Sequence, residues 1–512
     1  MSWTRDVCLT KPSLSNNTAD LDRLKAFIVK EFKWEGTIEI DLDVIKDMPD
    51  WLRERDFNFK ICLFRDKNKL ALSGIGDIDT FCFLGAAIDL GTTTYVIRLI
   101  DLSTKKTLIE KSFINPQERI GPDILTRIHY ATNKSLTHLQ ELIVEDMTQN
   151  IKLMCKEIGY DSHLISNITV AGNTAMTHLF LGINPKWMIK EPYIPVLNEI
   201  DLVKAKEINM DFSPLSRVFC FPNIGAYFGG DLISGILFTG IHKKEEISIL
   251  VDVGTNAEVV LGNKDWLVAC AGAAGPALET GMSKIGKRAG PGIIDRIKFN
   301  PKISKFEYHT IEELPPVGIC GSGIIDLAAE MFKWGLIDFR GKFVPEKAPS
   351  LFKKIEDIWH ITIVPSNESG TGDDLLLSQP EIDSLIRSKA AMYTILETIA
   401  STVGITFEQI ENFYVGGTFG NYIDPNSAIF IGMLPDIPIQ RFKGMGNTSL
   451  EGATLLLKEP SFMDEVWDIR KRITYIELNV NQDFMMRFSA AKFLPHTDKN
   501  RFPSVERVLN NT

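Results

Sequence analysis

Two short stretches carry the residue types that handle phosphate. In "AAIDLGTTTYVIRLID" (86–101) and "ILVDVGTNAEVVLGN" (249–263), an aspartate ends a strand-like run, a small polar turn follows, and a second strand-like run resumes. Small residues in such a turn let several backbone N–H groups point one way, and hydroxyl and amide side chains add further donors to this anion nest. Gly91, Thr92, Thr93 and Thr94 in the first copy, and Gly254, Thr255 and Asn256 in the second, are therefore expected to hold phosphate. Asp89 and Asp252 stand beside that anion, where a bare carboxylate would repel it. A divalent cation removes the conflict, because Mg2+ takes a few carboxylates together with water and phosphate oxygens. Both aspartates are thus expected to ligate the metal and to organise the attacking water. One D-x-G-T is a common hairpin turn, but two copies 163 positions apart ask for one explanation.

A third stretch, "YVGGTFGNYID" (414–424), sets Gly416, Gly417 and Thr418 at the end of an apolar strand. Adjacent glycines let backbone approach a flat ligand such as adenine. Asp231, after Gly229 and Gly230 in "GAYFGGDLISGIL", is expected either to orient water or metal in catalysis or to cap a helix N-terminus. Glu279 is open in the same way. Gly272, Gly275 and Gly281 either keep backbone close to nucleotide or mark tight packing. Gly318, Gly321 and Gly323 in "GICGSGIID" either face adenosine or form a strand-to-helix turn. Cys320 lies in that turn, but no partner base is identifiable, so a nucleophilic role is not expected.

The elements that must position these residues follow from periodicity. The first ~84 residues mix polar stretches with short alternating runs such as "TIEIDLDV" and "FKICLFRD", a small α+β pattern. From Gly85 onward β-rich runs alternate with helical periods, the pattern of an α/β architecture. Ser135–Gly159 has apolar residues at three- and four-residue steps and ends on glycine, which predicts a capped amphipathic helix. "ISNITVAGNTAMTHLFLGI" reads as strand, glycine turn and helix, "SKAAMYTILETIASTVGI" as a helix, and "IENFYVGG" as a strand. Residues 340–375 are less periodic and are expected to form a surface excursion with a flexible Ser-Gly-Thr-Gly segment.

Bulk properties narrow the function classes. A chain of 512 residues exceeds what one core holds, so at least two domains are expected. A net charge of -10 with scattered basic residues gives no footprint for nucleic acid or an acidic membrane surface. The start lacks a signal-peptide apolar region and no apolar run nears the roughly 20 residues of a bilayer span, so a cytoplasmic protein is expected. The seven cysteines (Cys8, Cys62, Cys82, Cys155, Cys220, Cys270 and Cys320) lie far apart without C-x-x-C or C-x4-C-x2-C spacing. That argues against a zinc finger, a two-iron ferredoxin cluster or a disulfide framework.

In chain order, D-x-G-T-T, D-x-G-T-N and G-G-T stand as two phosphate loops and an adenosine loop. This order resembles the actin-like ATPase and sugar-kinase superfamily, whose two duplicated ribonuclease-H-like lobes close over ATP. "NPQERIGPDILTRI", "VAGNTAMTHLFLGI", "GAYFGGDLISGIL", "AGAAGPALETGM", "GICGSGIIDLAAEM" and "FSAAKFLPHTD" narrow it. From about Gly85 to Asp498 the chain is similar to the ATPase region of reductive activators of corrinoid proteins. The resemblance implies a small α+β domain over 1–84, like the family's middle domain, and ATPase lobes over 85–245 and 246–512. It implies ATP, ADP and Mg2+ as ligands, and a corrinoid methyl-carrier protein as the partner whose Co(II) is returned to Co(I). His178 and His496 are read as packed histidines rather than cobalt ligands.

The family's iron–sulfur domains have no counterpart in these cysteine spacings, so no iron–sulfur cluster is expected and electrons would come from a separate low-potential donor such as ferredoxin. A homodimer is an open assembly state. A small-molecule kinase or acyl-CoA-linked ATPase of the same superfamily, and a nucleotide-binding scaffold without turnover, are the alternative readings.

Overall fold

The computed structural model describes residues 2–78, 81–254, 257–272, 284–417, 423–478 and 482–511. Strands β1 (Thr4–Cys8), β2 (Thr37–Glu39), β3 (Asn58–Asp66) and β4 (Lys69–Gly76) form a sheet of order β1-β3-β4-β2. Helices α1 (Asp20–Phe32) and α2 (Leu42–Glu54) pack on it through Leu24, Ile28, Met48 and Leu52, which meet Phe59, Ile61 and Leu63. This is the small α+β element expected from the alternating runs.

The chain divides into two compact units, Met1–Gly240 with Thr448–Arg472, and Ile241–Asn447 with Ile473–Thr512. In the first, β5 (Leu84–Leu90), β6 (Thr94–Asp101), β7 (Thr107–Ile114), β8 (Ile165–Gly172), β9 (Val203–Lys204) and β10 (Arg217–Cys220) form a sheet of order β7-β6-β5-β8-β10-β9. The run LGAAIDL is buried at every residue but Asp89, the pattern of a strand covered on both faces. Covering helices include α3 (Ile124–Tyr130), α4 (Leu136–Glu157), α5 (Thr174–Leu181) and α6 (Gly230–Thr239). Ser135 caps α4 by accepting from His138 N at 3.1 Å, and Gly159 follows the helix at φ +77°, as the sequence predicts.

The N-terminal sheet belongs to this first unit through buried polar contacts. Arg217 on β10 donates to Asp41 at 2.8 Å, Asn167 on β8 to Leu63 O at 3.1 Å, and Trp467 of helix Phe462–Arg472 to Asp66 at 3.0 Å.

The second unit repeats the plan. Strands β11 (Ser248–Val253), β12 (Ala257–Gly262) and β13 (Leu267–Gly272) form an antiparallel meander matching β5–β7. Between the meander and its parallel strands the chain makes β14 (Ile293–Asn300), β15 (Lys305–Thr310), β16 (Gly318–Ile319) and α7 (Gly321–Lys333). It continues through β17 (Phe352–Ile355), β18 (Ile358–Val364), β19 (Leu375–Ser378) and α8 (Gln379–Thr402). Then β20 (Asn412–Gly416) runs parallel to β11 as β8 does to β5, and β21 (Phe442–Gly446) runs parallel to β20 as β10 does to β8. With β22 (Ile473–Tyr475) the order is β21-β20-β11-β12-β13-β22. Two α/β units sharing one order over five strands, each with a sixth added at a different edge, constitute the duplicated ribonuclease-H-like plan of an actin-like protein, with a small N-terminal sheet added.

One expectation is corrected. Residues 340–375 are not an irregular excursion: β17 and β18 lie there, β19 begins at Leu375, and the three form an antiparallel sheet. Ile361, Ile363, Val364, Leu375 and Leu377 are buried in it. Alternation over four to seven residues is too short to stand out among the polar residues of the connecting turns. The Ser369–Gly372 segment is a tied turn, with Gly370 N donating to Pro316 O at 2.8 Å and Thr371 N to Ser369 Oγ at 3.2 Å.

Candidate functional site

In the first unit the expected phosphate turn is the β5–β6 hairpin. Asp89, half-buried, pairs with Val96 of β6 on one side and Ala171 of β8 on the other, so its side chain stands one residue before the carboxyl end of a central strand. Ligands of open α/β sheets bind outside that end. Two asparagines brace the turn beyond it. Asn115 Nδ2 donates to Gly91 O at 3.0 Å, and Asn173 Nδ2 donates to Thr92 Oγ1 at 3.1 Å. Asn173 is also the N-cap of α5, accepting from Met176 N at 2.9 Å.

Asp231 joins the same group. A Cβ built on Gly229 would lie 2.4 Å from Asn173 Cα, 2.7 Å from Gly172 O and 2.7 Å from Asp231 Oδ1, so only glycine lets the start of α6 approach this closely. Asp231 is in the first turn of α6, whose N-cap is Gly229, and its Oδ1 accepts from Leu232 N at 2.9 Å. Its carboxylate is not the cap; it lies at the positive end of the helix, near the end of β8, the strand next to the one that carries the Thr92 turn.

In the second unit Asp252, half-buried, pairs with Glu258 of β12 and with Gly416 of β20. The expected second phosphate turn and the expected adenosine turn therefore start from adjacent strands. Gly417 has φ +77°, and a Cβ there would stand 3.0 Å from Asp252 Oδ1 and 2.9 Å from Val253 O. A carboxylate and a carbonyl converging on space that only a glycine leaves open is a donor set that suits a hard divalent cation. Gly254 lies at the start of the turn. Thr255, Asn256, Gly275, Glu279, Gly281 and Thr418 lie outside the described residues.

Gly321 is the first residue of α7, and Gly318 is on β16. A Cβ on Gly323 would lie 2.7 Å from Ile294 O, which makes this a strand-to-helix turn packed tightly on β14. Cys320, the N-cap of α7, lies 3.2 Å from Ser322 Oγ. A Cβ on Gly272 would meet Ile395 of α8 at 2.6 Å, a packing contact.

His178 is buried, with Nδ1 2.7 Å from Thr174 O and Nε2 accepting from Leu197 N at 3.5 Å, and burial lowers its pKa. Both ring nitrogens are engaged by backbone, as for a packed neutral imidazole. His496 is packed between Tyr393 and Phe502, its Nδ1 accepts from Asp498 N at 3.0 Å, and burial pulls its pKa down to about 4. Burial pushes the Cys62 and Cys220 thiols up to about 12, and Cys82 and Cys155 up to about 11. Among the described residues no three His, Cys, Asp or Glu side chains gather as a metal cluster, and no helix is long and apolar enough to cross a membrane.

The sequence reading does not single out Asn115 or Asn173. Both follow a strand and precede a helical turn, where an asparagine is a capping signal, and that signal alone does not reveal that their amides reach the Thr92 turn.

Three family models match the chain in order: the RACo linker region over residues 3–79, the RACo middle region over 84–244, and the C-terminal ASKHA domain of RACo over 246–506. The family's middle region is thus at 84–244, and its linker region stands where the sequence reading sets a middle-like domain. "Corrinoid activation enzyme RamQ" of Eubacterium limosum is 32% identical over 410 residues, covering 78% of this chain and 68% of that protein. "[Co(II) methylated amine-specific corrinoid protein] reductase" of Methanosarcina barkeri is 26% identical over 424 residues, covering 76% and 73%. A solved "Reductive activator for corrinoid,iron-sulfur protein" superposes with a TM-score of 0.88 at 38% identity, over 98% of this chain and 80% of that one.

Proposed function

The chain belongs to the RACo family, whose linker, middle and ASKHA regions it carries in order, and from that premise we propose that it is an ATP-hydrolysing activator of a corrinoid methyl-carrier protein. It assists the return of cobalt from Co(II) to Co(I), with electrons from a separate low-potential donor such as a ferredoxin. The observation that carries this reading is the repetition of one aspartate-and-turn device at equivalent places in two sheets that share a five-strand order, Asp89 opposite Ala171 and Asp252 opposite Gly416.

The roles follow from position. Gly91 to Thr94 in the first unit, and Gly254, Thr255 and Asn256 in the second, offer backbone N–H groups and side-chain donors to the phosphates. Asn173 fixes the Thr92 hydroxyl for that purpose. Asp89 and Asp252 hold Mg2+ and its water, and Asp231 orients the attacking water from the start of α6. Gly416, Gly417 and Thr418 let backbone approach adenosine, with Gly275 and Gly321 as further close approaches. Mg2+, when bound, supplies the positive charge that lets carboxylates and phosphate share the site. Residues 1–84 serve as small domain, 85–245 as first lobe and 246–512 as second lobe, except that Thr448–Arg472 packs within the first unit.

Reduction of Co(II) to Co(I) is unfavourable for ordinary donors. An activator overcomes this only by binding the more easily reduced state of its partner more tightly, and the shift is limited by that difference in affinity. The test is a spectroscopic assay of a Co(II) corrinoid protein with this protein, Mg-ATP and an external low-potential reductant. Co(I) should form only with all components present. Co(I) formation that is indifferent to ATP or to this protein, or transfer of phosphate to a small molecule, would refute the reading.

A further inference from the structure

Between α5 and β9 the segment "NPKWMIKEPYIPVLNEI" (184–200) places large apolar side chains in water on the first unit. Trp187 is 56% exposed, Ile194 59% and Val196 62%. Trp187 adjoins a fixed base: Met188, buried, packs with Ile128 of α3, Ala175 of α5 and Ala226. Lys186 and Lys190 each set an ammonium 5.3 Å from the centre of the Trp187 ring. Glu191 is the one acidic residue between Lys186 and Val196. Apolar side chains held outward with charge at their edge mark a contact surface, and a tryptophan among them is the residue type most often found to carry binding energy.

This surface is tied to the candidate site. Asn198, two residues after Val196, accepts from Asn223 N through its backbone carbonyl at 2.7 Å and from Gly225 N through Oδ1 at 3.0 Å. Gly225 O in turn accepts from Thr174 Oγ1 at 3.0 Å. Thr174 adjoins Asn173, which holds Thr92, and the loop from Asn223 runs on into Gly229 and Asp231. Hydrogen bonds alternating with short stretches of backbone thus connect 187–196 to both the phosphate turn and the start of α6.

We propose that the segment bearing Trp187, Ile194 and Val196, with Lys186 and Lys190 beside the indole, docks the corrinoid protein through an acidic, apolar-centred patch on that partner, and that Asn198 passes docking to the nucleotide turn. This rests on the function proposed above. The partner is protein rather than lipid, because two lysines on one indole match a few placed carboxylates rather than a broad anionic plane.

The test titrates purified Co(II) corrinoid proteins, one from this chain's own source and the methylated-amine-specific protein of the Methanosarcina barkeri relative, against the full chain while ATP turnover is followed. Trp187→Ala should weaken binding at least tenfold. The double variant Lys186→Glu, Lys190→Glu should weaken it and flatten its salt dependence, and both should keep the wild-type melt and basal turnover. Asn198→Ala should bind at near wild-type affinity but lose partner stimulation of turnover. Wild-type affinity in the Trp187 and lysine variants would overturn the docking face while leaving the proposed function standing. Full stimulation in Asn198→Ala would overturn the coupling. A wild-type chain that binds neither corrinoid protein would overturn the function on which the proposal rests.

Discussion

Asp252 and Gly417 share one cradle in the second unit: a Cβ on Gly417 would stand 3.0 Å from Asp252 Oδ1, and the glycine itself is at φ +77°. Asp252 and Gly416 are the last pair of the β11–β20 ladder, so Gly417 leaves the sheet beside the end of β11. Gly417→Ala therefore meets two penalties, left-handed backbone strain of about 1 kcal/mol and crowding of the carboxylate. We expect Mg-ATP affinity to fall more than tenfold by calorimetry. Gly404 is the matched control: it has φ +69° with nothing within 4 Å of a built Cβ. Gly404→Ala should cost similar stability and leave nucleotide binding unchanged; equal binding losses in both variants would mean that only strain is at work.

Asn173 separates capping from positioning. Asn173→Ala loses the bond to Met176 N, which costs about 1 kcal/mol, together with the bond to Thr92. Asn173→Asp keeps the cap but replaces the donor facing Thr92 with a charged acceptor where phosphate is expected. Turnover should drop in both, while the melt should fall only in the alanine variant. An aspartate variant with wild-type turnover would remove Asn173 from the site.

Asp89→Asn and Asp252→Asn keep shape and hydrogen bonding while removing a charge. Each should lower ATP turnover by about 10²–10³-fold, the range found when one electrostatic contributor to a transition state is removed. The melting curves should stay within about 1 kcal/mol of wild type, because both side chains are only half-buried at strand ends. Comparing turnover with circular dichroism decides the matter: wild-type rates in both variants would leave the two turns purely structural.

The sequence makes some of this arrangement legible and hides the rest for physical reasons. Strand runs such as LGAAIDL and SILVDV, and the Ser135–Gly159 helix, are local patterns, and the structure has them where periodicity places them. The placement of Asp231 beside Asn173 is not local. It depends on α6 starting where a Cβ on residue 229 would lie 2.4 Å from Asn173 Cα, so that only glycine fits, and no periodicity encodes which backbone that glycine faces. The return of helices Thr448–Lys458 and Phe462–Arg472 to the first unit is invisible for the same reason. Their apolar stripes state that they are covered, not by what. Cys320 and His178 were legible by chemistry alone, since neither has a partner that would activate it in sequence, and both are buried.

Asp66 offers a test of how the N-terminal sheet is held. It ends β3, is 2% exposed, and accepts from Trp467 Nε1 at 3.0 Å. Burial pushes its carboxyl from the ordinary 3.8 up to about 6; Lys67, the indole and Lys69 pull the other way, and Asp201 adds to the rise. Because the folded state holds this proton more tightly than the unfolded chain, the group's favourable contribution is complete below about pH 4 and is lost as pH rises through about 6. Above that the carboxylate is a buried charge offset by the Trp467 indole and by Lys67 and Lys69. Asp66→Asn retains the acceptor for Trp467 and discards the charge. At pH 8 it should raise stability by roughly 1–3 kcal/mol, the scale that a rise from 3.8 to about 6 implies, and at pH 4 it should change nothing. Melts of wild type and variant at the two pH values read the difference directly. A gain of equal size at both would mean that shape, not charge, governs this joint, and a loss at pH 8 would mean that the ionised carboxylate holds the Trp467 contact together.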